Sequence, residues 1–379
     1  MNPGIRKAAG SHVSETSAPV VSFFLPDIRC AFPVEVNPHY EAVESEVADW
    51  TARVFSGYDQ VDDFWIGHAR RSRHSLWQSM VFPDLDHGDL VLWSKITSAL
   101  TVFHDAVERD REANGSARPA HGRAAWHELL EGAERIARSA ASGQDPVPAV
   151  RASGHPAQIK EILCPFAKLR RRMNLRVGND FMDGLRALAD GIITEFRVAA
   201  EPGAAAALDL DTYLAIRRRT YGLFYIAALP SQNRTGQLSP DELDDPRLAQ
   251  LKRLAHTHTC LVNDAYSFRM EYIRNADRVT DLVQAIPMLA HRHGSGWQEA
   301  VDRLVEMIHR TERDYLRLRE HWYAEGASPT VRETCRRLEW IMSGNLQYMK
   351  VTPRYHGTHF QGEFTGGLVI CDPAEAGRI

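Results

Sequence analysis

The five cysteines among 379 residues, Cys30, Cys164, Cys260, Cys335 and Cys371, lie far apart, and no CxxC pair occurs. That spacing indicates neither a zinc site nor a disulfide scaffold. Reduced thiols in a cytoplasmic protein are the simplest reading. No stretch approaches the roughly 18 consecutive apolar residues of a transmembrane helix. The N-terminal MNPGIRKAAGSHVSETSAP lacks the apolar segment of a signal peptide. Net charge is only −4, so the broad basic footprint of a nucleic-acid-binding protein is missing. Any anion must be held by a local cluster. Strand-like alternation is nearly absent, as are internal repeats and low-complexity blocks.

What is present is helical periodicity. Residues 1–20 are polar and read as a disordered tail, and 21–36 (VSFFLPDIRCAFPVEV) as an extended strap interrupted by prolines. In HYEAVESEVADWTARVF, Val43, Val47, Trp50 and Val54 form one stripe, with Pro38 suited to a first turn. Further helices are predicted at about 88–112, 122–140, 156–174, 178–200, 208–229, 246–275, 278–293, 296–323 and 328–349. Residues 113–160 look like an expanded surface connection containing one helix, and the Gly-rich 356–379 like a flexible tail. The class is all-α, with short loops favouring antiparallel neighbours.

The chemistry concentrates in LVNDAYSFRMEY, residues 261–272. Asn263, Ser267 and Glu271 recur every four residues, each step drifting by about 40° around a helix. An amide oxygen, a hydroxyl and a carboxylate therefore share one face, a donor set suited to Mg²⁺. A solvated helix face could carry the same three residues. The apolar flanks instead place them beside an interior cavity, with Asp264 able to orient them.

N-D-x-x-S-x-x-x-E resembles the second metal-binding motif of microbial class I terpene synthases. The resemblance implies that Asn263, Ser267 and Glu271 bind one of three Mg²⁺ ions that grip a diphosphate. The family often has Lys directly before the Glu. Met270 stands there, with Arg269 one place earlier as a shifted phosphate contact. The family's upstream Asp-rich motif corresponds to His104-Asp105-Ala106-Val107-Glu108, so Asp105 and Glu108 take acidic places and His104 replaces the first aspartate. Imidazole is a poorer Mg²⁺ ligand than carboxylate. Either Asp105, helped by Glu108, takes over the bridging role, or His104 donates to the diphosphate. The acidic pairs Asp62-Asp63 and Asp244-Asp245 read as surface features.

Two further matches follow. DTYLAIRRRTYG resembles the family's diphosphate-sensing helix. It implies Arg217 as the sensor, with Thr220 and Tyr221 at a helix break that faces the nascent cation. Arg354-Tyr355 resembles the C-terminal pair that closes over the diphosphate. The four matches lie in the family's order across residues 83–355.

The resemblance implies one class I terpenoid synthase-like helical bundle, residues 21–355, around a central active-site cavity. It implies Mg²⁺-dependent ionisation of a linear isoprenyl diphosphate, farnesyl or geranylgeranyl, followed by cyclisation of the carbocation. Leu100, Thr101, Phe181, Tyr221, Trp340 and Tyr348 are candidate lining residues, and homodimerisation is implied by the resemblance alone. Three alternatives stay open: a chain-elongating prenyltransferase, a diphosphate-binding homologue without catalysis, motivated by His104, and a helical scaffold without metal.

Overall fold

The computed structural model describes residues 19–56, 63–114 and 120–378. The expected N-terminal tail and Asp62 fall almost wholly outside them. The chain is built from α1 (Tyr40–Phe55), α2 (Asp63–Ser72), α3 (His74–Val81), α4 (His87–Asn114), α5 (Ala120–Ala141), α6 (Pro146–Arg151), α7 (Ala157–Arg172) and α8 (Leu175–Ala199). After these come α9 (Leu210–Thr220), α10 (Leu223–Ala228), α11 (Pro240–Asp244), α12 (Pro246–Arg274), α13 (Ala285–His293), α14 (Trp297–Ala324), α15 (Pro329–Val351) and α16 (Pro353–His356). Two short strands, β1 (Val21–Leu25) and β2 (Gly367–Cys371), flank this bundle. No helix among the described residues is long and apolar enough to cross a membrane.

Local chemistry sets most boundaries. Asn174, Asp209, Asp245 and Ser328 each accept a backbone N–H at the start of α8, α9, α12 and α15. Asp245 is thus a helix cap, and its neighbour Asp244 pairs with Arg176 at the surface, in keeping with the surface reading of that pair. Between α9 and α10, Gly222 adopts φ 82°, a left-handed conformation that costs glycine little. The helix expected over 208–229 is therefore two helices with a break at the cavity wall.

Three expectations need correction. The stretch 56–87 contains α2 and α3, which were not predicted. Their junction is Arg73 in the left-handed region (φ 52°), which cuts the apolar pattern into two short pieces. Residues 113–160 are not a loose surface connection. Trp126, Leu129, Ala133 and Ile136 of α5 form a buried stripe, and α5 packs against α6, α7 and α8. Residues 356–379 are not a detached tail, because β2 pairs antiparallel with β1, Val21 opposite Cys371 and Leu25 opposite Gly367.

A lone strand pair is marginal in water. This one is held by burial of Phe23 and Leu25, by the Phe23 ring 5.7 Å from Phe268, and by Gln298, which accepts from and donates to the Phe24 backbone. The strap continues along the body, with Ile28 and Phe32 buried and Phe32 edge-on to Tyr315 of α14. β2 thereby binds the chain's end to its beginning.

At the bundle's centre, α12 packs against α14 on one side and α15 on another, and α15 crosses α3 closely. A Cβ added at Gly344 would lie 2.4 Å from the Met80 carbonyl oxygen. Neither helix backbone can yield cheaply, so Gly344→Ala should cost about 1–3 kcal/mol. Denaturant unfolding checks this: an unchanged midpoint would mean that the two helices are not in close contact.

Candidate active site

One cavity of about 240 Å³ opens among α3, α4, α5, α8, the α9–α10 break, α12, α15 and α16. Asn263, Ser267 and Glu271 of α12 all line it, as their spacing predicted. Asn263 and Ser267 are buried and Glu271 is half-buried. The Ser267 hydroxyl is buried without a hydrogen-bond partner. An orphaned buried hydroxyl beside an amide oxygen and a carboxylate suits a hard divalent cation. The three residues therefore fit the metal that their pattern implied.

Arg217 organises this end of the cavity. Its Nη2 donates to Asn263 Oδ1 at 3.0 Å and to Asp264 Oδ1 at 2.5 Å, and its Nε donates to the same Asp264 oxygen at 3.1 Å. Nη1 makes only longer contacts, 3.3 Å to Thr220 Oγ1 and 3.4 Å to Glu195 Oε1. Burial opposes the charge on Arg217. The carboxylates of Asp264 and Glu195 more than offset it, so its pKa lies well above the usual arginine value. Asp264 is fully buried, and its second oxygen accepts from the Tyr213 hydroxyl and, at 2.8 Å, from the Ala285 N–H. Asp264 thus holds Arg217, which in turn holds Asn263.

The C-terminal pair also lines the cavity. Arg354 donates from Nη1 and Nη2 to the two oxygens of Asp105, at 2.7 and 2.8 Å. Both side chains are buried, and burial of Arg354 is outweighed by the Asp105 carboxylate, which keeps the guanidinium charged. Tyr355 faces Asn263, whose Nδ2 donates to its hydroxyl at 3.1 Å. His104 lines the cavity, whereas Asp105 does not and is held by Arg354, which does. The His104 ring lies 3.6 Å from Asp105. Glu108 belongs to α4, but its side chain lies outside the described residues.

Of the expected lining residues, Leu100, Thr101, Tyr221 and Tyr348 do line the cavity. Phe181 does not. It is wholly buried behind Phe224, 5.9 Å from that ring and 5.8 Å from Trp93. Trp340 is also misassigned: eight residues before Tyr348, it stands about 80° around α15 and donates its indole N–H to Glu35 of the strap. Arg269 faces the far side of α12, where it donates to the Ile370 carbonyl at 2.9 Å and pairs with Glu375. It therefore serves the C-terminal segment and not the cavity.

Sequence reasoning missed Glu195, Tyr213, Asn345, Trp77, Trp126 and Tyr225. Glu195 had a readable signal. Leu188, Ile192, Glu195 and Ala199 lie on one stripe of α8, and all four face the cavity. A single carboxylate in an apolar stripe needs an interior partner. Asn345 accepts from both Tyr221 (2.7 Å) and Trp77 (3.0 Å), orienting two aromatic walls.

A helical face of hard oxygen donors, a buried arginine and several aromatic side chains thus meet in one cavity. The family profile described as "Terpene synthase family 2, C-terminal metal binding" matches residues 95–314, more than half of the chain. This chain belongs to the terpene synthases. It is a class I terpene synthase that uses divalent metal. It is 25% identical over 351 residues to (E)-2-epi-beta-caryophyllene synthase of Selaginella moellendorffii, covering 91% of this chain and 88% of that one. It is 27% identical over 334 residues to the farnesyl diphosphate-cyclizing 4-epi-cubebol synthase of Streptosporangium roseum, covering 87% and 92%. Among solved structures, an α-eudesmol synthase superposes with TM-score 0.66 at 19% identity, covering 85% of this chain and 97% of that one. Hedycaryol synthase in complex with nerolidol gives TM-score 0.62 at 18% identity, covering 86% and 99%. These terpene synthases share the helical fold.

Arg354→Met would take the guanidinium away from the buried Asp105 carboxylate of this terpene synthase, at a cost of about 3–5 kcal/mol. Adding Asp105→Asn to that variant should recover most of the loss. Thermal unfolding of the single and double variants checks this, and equal midpoints for Arg354→Met and wild type would contradict it.

Proposed function

We propose that this terpene synthase cyclises farnesyl diphosphate, with Asn263, Ser267 and Glu271 as the protein ligands of a Mg²⁺ ion. The observation that carries the ligand assignment is the buried, unpartnered Ser267 hydroxyl on the cavity wall. Mg²⁺ ions, three by family resemblance, supply the positive charge that makes diphosphate a leaving group.

The chain's own residues then have distinct tasks. Arg217 Nη1, with its long contacts, is the donor free to turn toward a phosphate oxygen while Nη2 keeps Asn263 in place. The Tyr355 hydroxyl accepts from Asn263 and so directs its own proton toward the diphosphate. His104, facing the cavity beside Asp105, donates to the diphosphate in place of the family's first aspartate. This favours the second of its two sequence readings. Arg354 holds Asp105 and closes that wall. Trp77, Trp126, Tyr225 and Tyr348 line the cavity as aromatic groups that can stabilise a carbocation.

Farnesyl rather than geranylgeranyl diphosphate is favoured on two counts. The cubebol-forming relative cyclises farnesyl diphosphate. The cavity, at about 240 Å³, is smaller than the roughly 300–1,000 Å³ usual for small-molecule sites. The enzyme works in the cytoplasm in this reading, without membrane insertion.

Incubation with geranyl, farnesyl and geranylgeranyl diphosphates plus Mg²⁺, read by mass spectrometry, tests this. Cyclic fifteen-carbon products should come from farnesyl diphosphate without isopentenyl diphosphate. Products that require isopentenyl diphosphate would indicate chain elongation, and pyrophosphate binding without any turnover a non-catalytic homologue. Ser267→Ala and Glu271→Ala should each cut turnover by at least about 100-fold, a loss of ~3 kcal/mol or more of transition-state stabilisation. Near wild-type rates in either variant, with the fold intact by circular dichroism, would remove the ligand assignment.

A further inference from the structure

Outside the catalytic cavity, three side chains of metal-ligating chemistry converge where the strap meets the helical body. Cys30 of the strap, His258 of α12 and Glu312 of α14 bring a thiol, an imidazole and a carboxylate within 4.8 Å of one another. None of them lines the catalytic cavity. His258 precedes Asn263 by five residues, which places it about 140° around α12 from the Mg²⁺-ligand face.

Protein partners meet the polar groups at this point only in part, the His258–Glu312 ion pair being long. His258 is 0% exposed, and neither ring nitrogen has a hydrogen-bond partner. The nearest Glu312 oxygen, Oε2, is 3.6 Å from Nε2, beyond ordinary hydrogen-bond length, and has no hydrogen-bond partner of its own. The other Glu312 oxygen accepts the Ala31 N–H at 3.0 Å, which places the strap so that Cys30 faces the pair. Buried polar atoms left open on two neighbouring side chains call for a ligand.

We propose that Cys30, His258 and Glu312 bind a zinc ion that fastens the strap to α12 and α14. A thiolate, an imidazole nitrogen and a carboxylate oxygen are all ordinary zinc ligands, and three protein ligands leave the fourth tetrahedral position for water. Cys30 is only partly buried, on the strap side of the cluster. The thiolate confers selectivity over Mg²⁺, which takes oxygen donors. Charge also balances, because a thiolate and a carboxylate together neutralise a dication, and the thiol proton leaves to solvent on binding. The ligands come from three distant segments, so no CxxC spacing announces them.

The test uses the untagged full chain expressed with added zinc. Elemental analysis should find about one zinc ion per chain, and stripping it with a strong chelator should lower the melting temperature. Mg²⁺ should not restore that temperature, whereas Zn²⁺ should. Co²⁺ added to the stripped protein should give a thiolate-to-cobalt charge-transfer absorption in the near ultraviolet, and Cys30→Ser should abolish it along with the zinc. If Cys30→Ser fails to fold, the cobalt spectrum of the wild type decides alone. Absence of both zinc and the thiolate–cobalt absorption in the wild type would overturn the proposal and leave a metal-free Cys–Glu–His cluster. Undiminished zinc in folded Cys30→Ser would overturn it equally.

Discussion

The buried ion pair between Arg217 and Asp264 joins the break in one helix to the cavity-facing Asn263-Ser267-Glu271 stripe of another. An arginine taken out of water is tolerable only when its charge and donors are met. Asp264 meets them from α12, and Glu195 and Thr220 add contacts from α8 and the end of α9. Asp264 is in turn anchored by Tyr213 and by the first backbone N–H of α13. The left-handed Gly222 sits just beyond and lets the chain turn so that Tyr221 and Tyr225 both face the cavity. Loss of either charged partner would strand the other in a low-dielectric interior. The polar end of the cavity is therefore fixed before any ligand arrives, and such preorganisation is what makes electrostatic catalysis effective.

The rest of the molecule keeps the other end dry and shaped. Trp93, Phe166 and Phe181 pack ring against ring as a second layer behind Phe224 of the cavity wall. The strap and the C-terminal strand cover the outer side of α12 and α14. Arg269, on the face of α12 turned away from the cavity, fastens the C-terminal segment there. One helix thus presents Asn263, Ser267 and Glu271 inward and packs against the β1–β2 pair outward, so its rotation about its own axis is restrained from both sides.

Much of this was legible in sequence because helices write their inward face every three to four residues. The Asn263-Ser267-Glu271 face needed only that period, and the long helices α8 and α14 carry clear stripes. Rotational position misled the reading where period alone was insufficient. Trp340 and Phe181 are aromatic residues on cavity-forming helices, but their directions depend on which neighbour each helix packs against. Arg269 was drawn inward by analogy with a family lysine, although its place on the α12 circle is nearly opposite Ser267. Short helices were lost for a different reason. α2 and α3 are each too brief for a periodic signal, and a left-handed arginine separates them. The Gly-rich C-terminus hid a strand because GLVIC gains its order from a partner more than three hundred residues away. Glu195 and Asn345 belong to no motif, since their roles arise from helices that meet only in three dimensions.

The central claim is that a divalent cation binds where the α12 face meets the arginine network. Crystals grown with Mn²⁺ and pyrophosphate test it directly, through the anomalous scattering of manganese. A manganese peak is expected within bonding distance of Ser267 Oγ, Asn263 Oδ1 and a Glu271 oxygen. Manganese bound elsewhere in the cavity, with the Ser267 hydroxyl left uncoordinated, would contradict it.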